Sequence, residues 1–290
     1  MGRPAYQPAM VTPANPTPVL FDRALLRARQ ARARKQGEAT FLLDRVAEDM
    51  ADRIAAVTRD FADVADIWTP GEVLRAPLAD RFKSVARIAP ETDSEVLPLQ
   101  PESLDLAVSA LAFQFVNDLP GVLAQIRRAL RPDGLLLAAF PGGDTLTELR
   151  QSFAAAEAEC EGGVSPRVAP FADLRDIGHL LQRAGLALPV TDVDRIVVRY
   201  DNAFALMRDI RGMGATNILV ERRRTPTRRA TMLRMAQIYG ERFSDPDGRI
   251  RATFDIVWLS AWAPHESQPK PLRPGSAKAS LEAAVKARKR

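Results

Sequence analysis

The residues most able to do chemistry are three carboxylates and one glycine turn. Asp66 ends the apolar run DVADI, and Asp93 and Glu95 sit in ETDSEVLPL just before what reads as a short apolar strand. Carboxylates at strand ends of an open α/β sheet face the crevice where ligands bind, so Asp93 or Glu95 could accept from an adenine amino group. FPGGDTLTELR places Gly142, Gly143 and Asp144 between a strand end and a helix start, at the sheet edge where substrates bind. The first strand is followed instead by DIWTPGEVL, which offers only Gly71. There Pro70 removes a backbone donor, and Trp68 puts a large ring where a ligand needs close approach to the backbone. Read alone, that stretch is a turn without a ligand.

Other chemistries are poorly supplied. His179, inside IGHLLQRAG, reads as a partly buried helix residue, and His265 follows the last strand. Two histidines without an H-x-D/E pair give no compact 2-His-1-carboxylate triad. Cys160 has no His or Cys neighbour at metal spacing, so no metal centre is expected. No G-x-S-x-G elbow and no P-loop is present.

These residues need strands and helices to position them. FADVADIW, SVARIA, LDLAVSALAF and GLLLAAF read as strands, and LPGVLAQIRRALRPDG as a helix capped by Asp118 and ended near Pro132 and Gly134. Short apolar runs alternating with helices imply a mostly parallel sheet covered on both faces. LDLAVSALAF is nearly all apolar, as a central buried strand should be. Two helices precede the sheet, in Phe21–Gln36 and Glu38–Val57, separated by Gly37. After Phe140 the helix of PGGDTLTELRQSFAAAEAEC is expected to be capped by Asp144 or Thr145. ALPVTDVDRIVVRY is a strand pair or one long strand, and RATFDIVWLSAWAP closes the sheet. The expected organisation is a Pro-rich arm at 1–20, N-terminal helices at 21–57, one α/β domain at 58–264 with a helical insertion at about 202–245, and a basic tail at 265–290.

Composition sets the outer bounds. The chain has 290 residues, 46% hydrophobic and 27% charged, enough for one sizeable core. One cysteine excludes an internal disulfide and fits a reducing compartment. No apolar run approaches the roughly 20 residues that span a bilayer. The N-terminal stretch reads as neither a secretory signal nor a transit peptide. The expected location is therefore a bacterial cytoplasm, with contact to the inner membrane surface allowed for, or the mitochondrial matrix in a eukaryote. The net charge of +5 is uneven: Lys270–Arg290 carries seven Lys or Arg against Glu282, and Phe21–Gln36 carries six against Asp22. Such ends are either solvated or dock on an acidic partner or an anionic membrane. Nucleic acid is not expected, because no aromatic residues alternate with the basic ones.

SEVLPLQPESLDLAVSALAFQFVNDLPGVLAQIRRALRPDGLLLAAF resembles the class I S-adenosylmethionine-dependent methyltransferases of the BioC-like kind. FPGGDTLTELR, ECEGGVSPRVAPFADLRDIGHLLQRAG, RGMGATN and DPDGRI…HESQPKPLRPGSA resemble the family of mitochondrial complex I assembly factor 5 and its bacterial relatives, from about Phe21 to Ala279. The resemblance implies a Rossmann-like methyltransferase fold with a seven-stranded sheet. It implies an S-adenosylmethionine pocket with Asp66, Gly71, Asp93, Ser109 and Ala110 on the cofactor side and Gly142, Gly143 and Asp144 on the substrate side; no catalytic residue is assigned. It also implies a part in maturing respiratory NADH dehydrogenase, where the family is associated with hydroxylating a subunit arginine, while other relatives methylate a carboxyl on an acyl-carrier thioester.

One departure is specific. The family motif D-x-G-x-G-x-G, laid on DIWTPGEV without gaps, puts its glycines on Trp68, Pro70 and Glu72. The acidic residue that would hold the ribose falls on Arg87. Each lost hydrogen-bond partner costs a ligand about 1–3 kcal/mol. Two readings follow: an enzyme acting on a protein substrate, or a pseudoenzyme that keeps the fold as an assembly chaperone. In the second, the basic segments and Arg222–Arg224, Arg228 and Arg229 would engage an acidic subunit or the membrane surface.

Overall fold

The computed structural model describes residues 18–90, 92–171 and 173–269. The arm up to residue 17 and the tail from residue 270 lie outside them. In chain order the elements are α1 (Arg23–Gln36), α2 (Phe41–Ala55), β1 (Val64–Ile67), α3 (Arg75–Ala79), β2 (Ala86–Ile88), β3 (Leu104–Ala110), α4 (Leu119–Ala129) and β4 (Leu130–Gly142). They continue with α5 (Thr147–Glu161), α6 (Leu174–Arg183), β5 (Ala187–Tyr200), α7 (Ala203–Gly212), α8 (Arg229–Phe243) and β6 (Ile250–Trp262).

One sheet runs β2-β1-β3-β4-β6-β5. β2, β1, β3 and β4 are parallel, and β6 lies antiparallel between β4 and β5. Among the described residues the sheet has six strands, not seven. The short strand expected after Asp93 and Glu95 is irregular chain. Pro98 and Pro101 have no N–H for a ladder, and the Leu97 N–H donates to Gln125 Oε1 on α4 instead. ALPVTDVDRIVVRY is one long strand.

Hydrophobic pattern explains the layers. β3 is buried on both faces except at Asp105, which fits its central place in the sheet. β5, at the edge, alternates in exposure along most of its length. On one face, α2, α5, α7 and α8 enclose Met50, Ile54, Phe153, Tyr239 and Trp258. On the other, α4 and α6 cover the sheet with Val122, Ile126, Ile177 and Leu181. His179 is exposed, not partly buried. The buried stripe of α6 is Ile177 and Leu181, and a residue two places on points to the opposite side.

Caps fix where helices begin. Asp22 accepts from Leu25 N, Asp118 from Gly121 N, and Asn202 from Phe204 N and Ala205 N. For α5 the expected cap is replaced. Leu146, with φ +54°, precedes the first turn and makes no side-chain cap bond. Thr145 turns inward, its hydroxyl donating to Gly142 O at 2.7 Å and accepting from Asp255 N at 3.0 Å. That choice ties the start of α5 to β6. Met50 is fully buried between α2 and the sheet, so Met50→Ala should cost about 2–5 kcal/mol. Urea unfolding measures it, and a loss under 1 kcal/mol would show that α2 does not seal this core.

Candidate functional site

The order β2-β1-β3-β4 reverses direction between β1 and β3, the point where open α/β sheets take their ligands. Two features lie above the strand ends there, a filled crevice and an open cavity.

The crevice is over β1 and β3. Trp68 leaves β1 with φ +62°, and Gly71 has φ +67°. The turn keeps the left-handed backbone that glycine adopts freely, and the Trp adopts it against a steric cost of about 1–2 kcal/mol. The Trp68 ring is 7% exposed, and the Arg23 guanidinium lies over it, 4.6 Å from its centroid. Arg23 Nη1 is 2.9 Å from Glu95 Oε1. Glu95 also accepts from Asn117 N and Asp118 N, both at 2.7 Å, where α4 starts. Next along α1, Arg27 pairs with Asp93 at 2.5 Å. About 20 Å³ remains between these groups, room for a single water.

The five residues expected on the cofactor side are not gathered around one space. Asp66 and Ser109 are buried within the sheet on opposite faces, the first beside Val64 and Val108, the second beside Ala107. Ala110 is buried as well, and its N–H donates to Thr69 Oγ1 at 2.9 Å. Asp93 is exposed and engaged by Arg27; Gly71 meets nothing within 4 Å of where a Cβ would stand. Arg87 is exposed on edge strand β2.

The cavity lies over β3 and β4 and measures about 140 Å³. Leu42 of α2, Leu111 after β3, Pro141 of β4, Leu149 of α5, Ile210 of α7 and Ile218 beyond it form apolar walls. Polar groups are few. Arg167 is held by Glu157 and Thr227, and Asn217 by Pro166 O and Leu219 N. Gln114 donates to Leu111 O, but its Oε1 is buried and has no partner among the described residues. Gln114 lines the cavity, with that oxygen set behind its surface.

Gly142, Gly143 and Asp144 stand beside this cavity and build a charge network. Arg195 of β5 forks onto Asp255 of β6 with two 2.7 Å bonds and reaches Asp144 at 2.8 Å. Gly143, φ +50°, leaves room for Asp255 Oδ2, which would sit 3.0 Å from a Cβ. Burial pushes the Asp255 carboxyl up, but the Arg195 hydrogen bond, the Asp144 N–H and the Arg195 charge together leave it below its usual range. Hydrogen bonds to Asp255 and then Asp144 push the Arg195 guanidinium up. Arg23, Gln114, Arg195 and Asp255 were not legible as site residues. Arg23 sits in a run of arginines that reads as a solvated face, and Arg195 and Asp255 lie in strands that read as packing. Among the described residues no cluster of His, Cys, Asp and Glu is suited to a metal.

A family profile, methyltransferase domain, matches residues 72–138. Human arginine-hydroxylase NDUFAF5, mitochondrial, is 38% identical over 284 residues, covering 90% of this chain and 82% of the human protein. The chain belongs to the NDUFAF5 family. A malonyl-[acyl-carrier protein] O-methyltransferase of Laribacter hongkongensis is 44% identical over 172 residues, 59% of this chain and 55% of that protein. Among solved structures, YcgJ protein from Bacillus subtilis superposes with a TM-score of 0.50 at 12% identity, covering 75% of this chain and all but 1% of that one, which shows shared fold alone. The fold is that of the class I S-adenosylmethionine-dependent methyltransferases.

That membership implies S-adenosylmethionine, and the switch-point residues of this NDUFAF5-family chain do not fit it. The Trp68 ring and Arg23 occupy the space over β1 and β3, Arg87 stands where a ribose carboxylate is expected, and Asp93 and Glu95 are already paired. The space of about 550 Å³ beside Asp66 is lined by Glu72, Arg75, Lys83 and Arg87 rather than by a glycine turn.

Asp66 offers a test of how dry its place on the other face of β1 is. Burial pushes its carboxyl up to about 6, offset in part by hydrogen bonds from Thr69 and the charge of Arg87. The folded chain therefore holds this proton more tightly than the unfolded chain. The resulting stabilisation is complete below the ordinary value of 3.8 and is lost as pH rises through about 6, a change of about 3 kcal/mol. Relative to wild type, Asp66→Asn should gain about that much stability between pH 3.5 and pH 7 in urea unfolding. An unchanged difference would mean that Asp66 ionises as freely as in the unfolded chain.

Proposed function

We propose that this chain acts on a protein partner during assembly of the respiratory NADH dehydrogenase, and that the cavity over β3 and β4 holds a side chain of that partner. The carrying observation is the cavity itself: apolar walls and, among the side chains of the described residues that line it, one unpartnered buried acceptor, Gln114 Oε1. Such a space suits a side chain with an apolar stem and an N–H head, and arginine, the residue its relatives are named for, has that form. Coverage supports a protein target over an acyl-carrier thioester. The arginine-hydroxylase relative aligns with 90% of the chain and the acyl-carrier methyltransferase with 59%.

The packing of Arg23 on Trp68 favours a second reading, in which holding the partner is the whole activity and no group is transferred. The basic surface then contributes less than its charge suggests. Arg222 is engaged by Asp22 and Arg223 by Glu161, leaving Arg224, Arg228 and Arg229 as the contacts for an acidic subunit or a membrane surface. No described helix is long and apolar enough to cross a membrane.

The test is capture of NADH dehydrogenase subunits by tagged full-length chain, alongside mature dehydrogenase activity in cells carrying the same variants. Gln114→Leu, which removes the acceptor at similar volume, and Ala169→Trp, which fills the space, should each reduce capture about tenfold, equivalent to about 1.4 kcal/mol. Folded variants that capture subunits and support assembly as wild type does would rule the cavity out.

A further inference from the structure

We propose that the switch-point crevice is a guanidinium site filled from within, with Arg23 of α1 as its resident ligand. Glycines in a strand-to-helix turn leave space above the backbone for a ligand. Here the turn retains a left-handed φ at position 68, while the side chain added there supplies an aromatic floor. The Arg23 guanidinium lies on that floor, 4.6 Å from the ring centroid, and its Nη1 meets Glu95 Oε1 at 2.9 Å. A cation 7% exposed is costly without such partners.

The carboxylate is preset. Glu95 is oriented by the N–H groups of Asn117 and Asp118, so its position does not depend on Arg23 alone. Arg27 and Asp93 form a second rung beside the first. The occupant is tethered too. Asn117 Oδ1 accepts from Leu20 N and Phe21 N, and Phe21 and Leu26 pack with Ile218 and Leu219. Both carboxylates positioned for a nucleoside are thereby taken up by arginines of one helix. Gln30 and Phe115 border both the crevice and the open cavity, so α1 forms a wall between the filled site and the accessible one.

Chemical rescue tests this on the full-length chain. Arg23→Ala should lower the melting temperature by about 5 °C. Millimolar n-propylguanidinium should restore part of the loss, whereas n-propylammonium at equal ionic strength should not, because only the planar guanidinium stacks flat on the ring while keeping an N–H for the carboxylate. Wild type should respond to neither, nor bind S-adenosylmethionine or S-adenosylhomocysteine at millimolar concentration in calorimetry. Equal rescue by both cations, no rescue, or micromolar cofactor binding to wild type would overturn the proposal. If Arg23→Ala does not fold, Arg23→Lys keeps the charge and loses the stack. A melting temperature equal to wild type would then overturn it as well.

Discussion

Glu95 is the group on which the architecture around the strand ends depends. Its carboxylate receives Arg23 from α1 and the first free N–H groups before α4, and its own carbonyl accepts from Gln125 on that helix. One side chain in an irregular connection thus joins the N-terminal helix, the β2–β3 crossover and the helix that covers the far face. The irregularity of the segment follows from its prolines, which prevent it from joining the sheet as a strand. A buried ion pair adds modest net stability, but removing one partner strands the other, at a cost of about 3–5 kcal/mol. The pair therefore specifies where α1 lies more than it strengthens the fold.

The sheet divides into two unequal halves at the switch point. β1 has four residues and β2 three, whereas β4, β5 and β6 have thirteen, fourteen and thirteen. The short half is where a nucleoside cofactor belongs in this fold, and there the crevice is filled by Trp68 and Arg23. The long half carries the glycine turn, the Asp255–Arg195–Asp144 network and the cavity. The left-handed φ at Trp68 is held by its N–H bond to Ile88 O of β2.

Much of this was legible in the residues. The all-apolar LDLAVSA forms the central strand, the capped LPGVLAQIRRA forms α4, and the sheet class followed from their alternation. The failures have local causes. Leu97 and Leu99 resemble a strand, but Pro98 between them breaks the ladder. Thr145 resembles a helix cap, but its hydroxyl bonds to Gly142 and Asp255 across the sheet, a partner 110 positions away. Arg23 resembles every other arginine of α1, and only the fold shows that it faces Trp68 while Arg32 and Arg34 face water.

The same limit applies to charge as a guide to function. Six basic residues in α1 and five arginines in positions 222–229 suggest a docking surface. Yet Arg23 and Arg27 are bound to Glu95 and Asp93, Arg29 donates to Asn217 O, and Arg222 and Arg223 are bound to Asp22 and Glu161. Burial first, and then the charges of Arg222, Arg32 and Arg211, hold the Arg29 guanidinium below its ordinary range. Arg29 and Arg222 join α1 to the connection between α7 and α8, and that joint closes one end of the cavity. Charge that reads as a partner surface is engaged largely within the fold, in the crevice at Trp68 and in the joint that borders the proposed side-chain cavity.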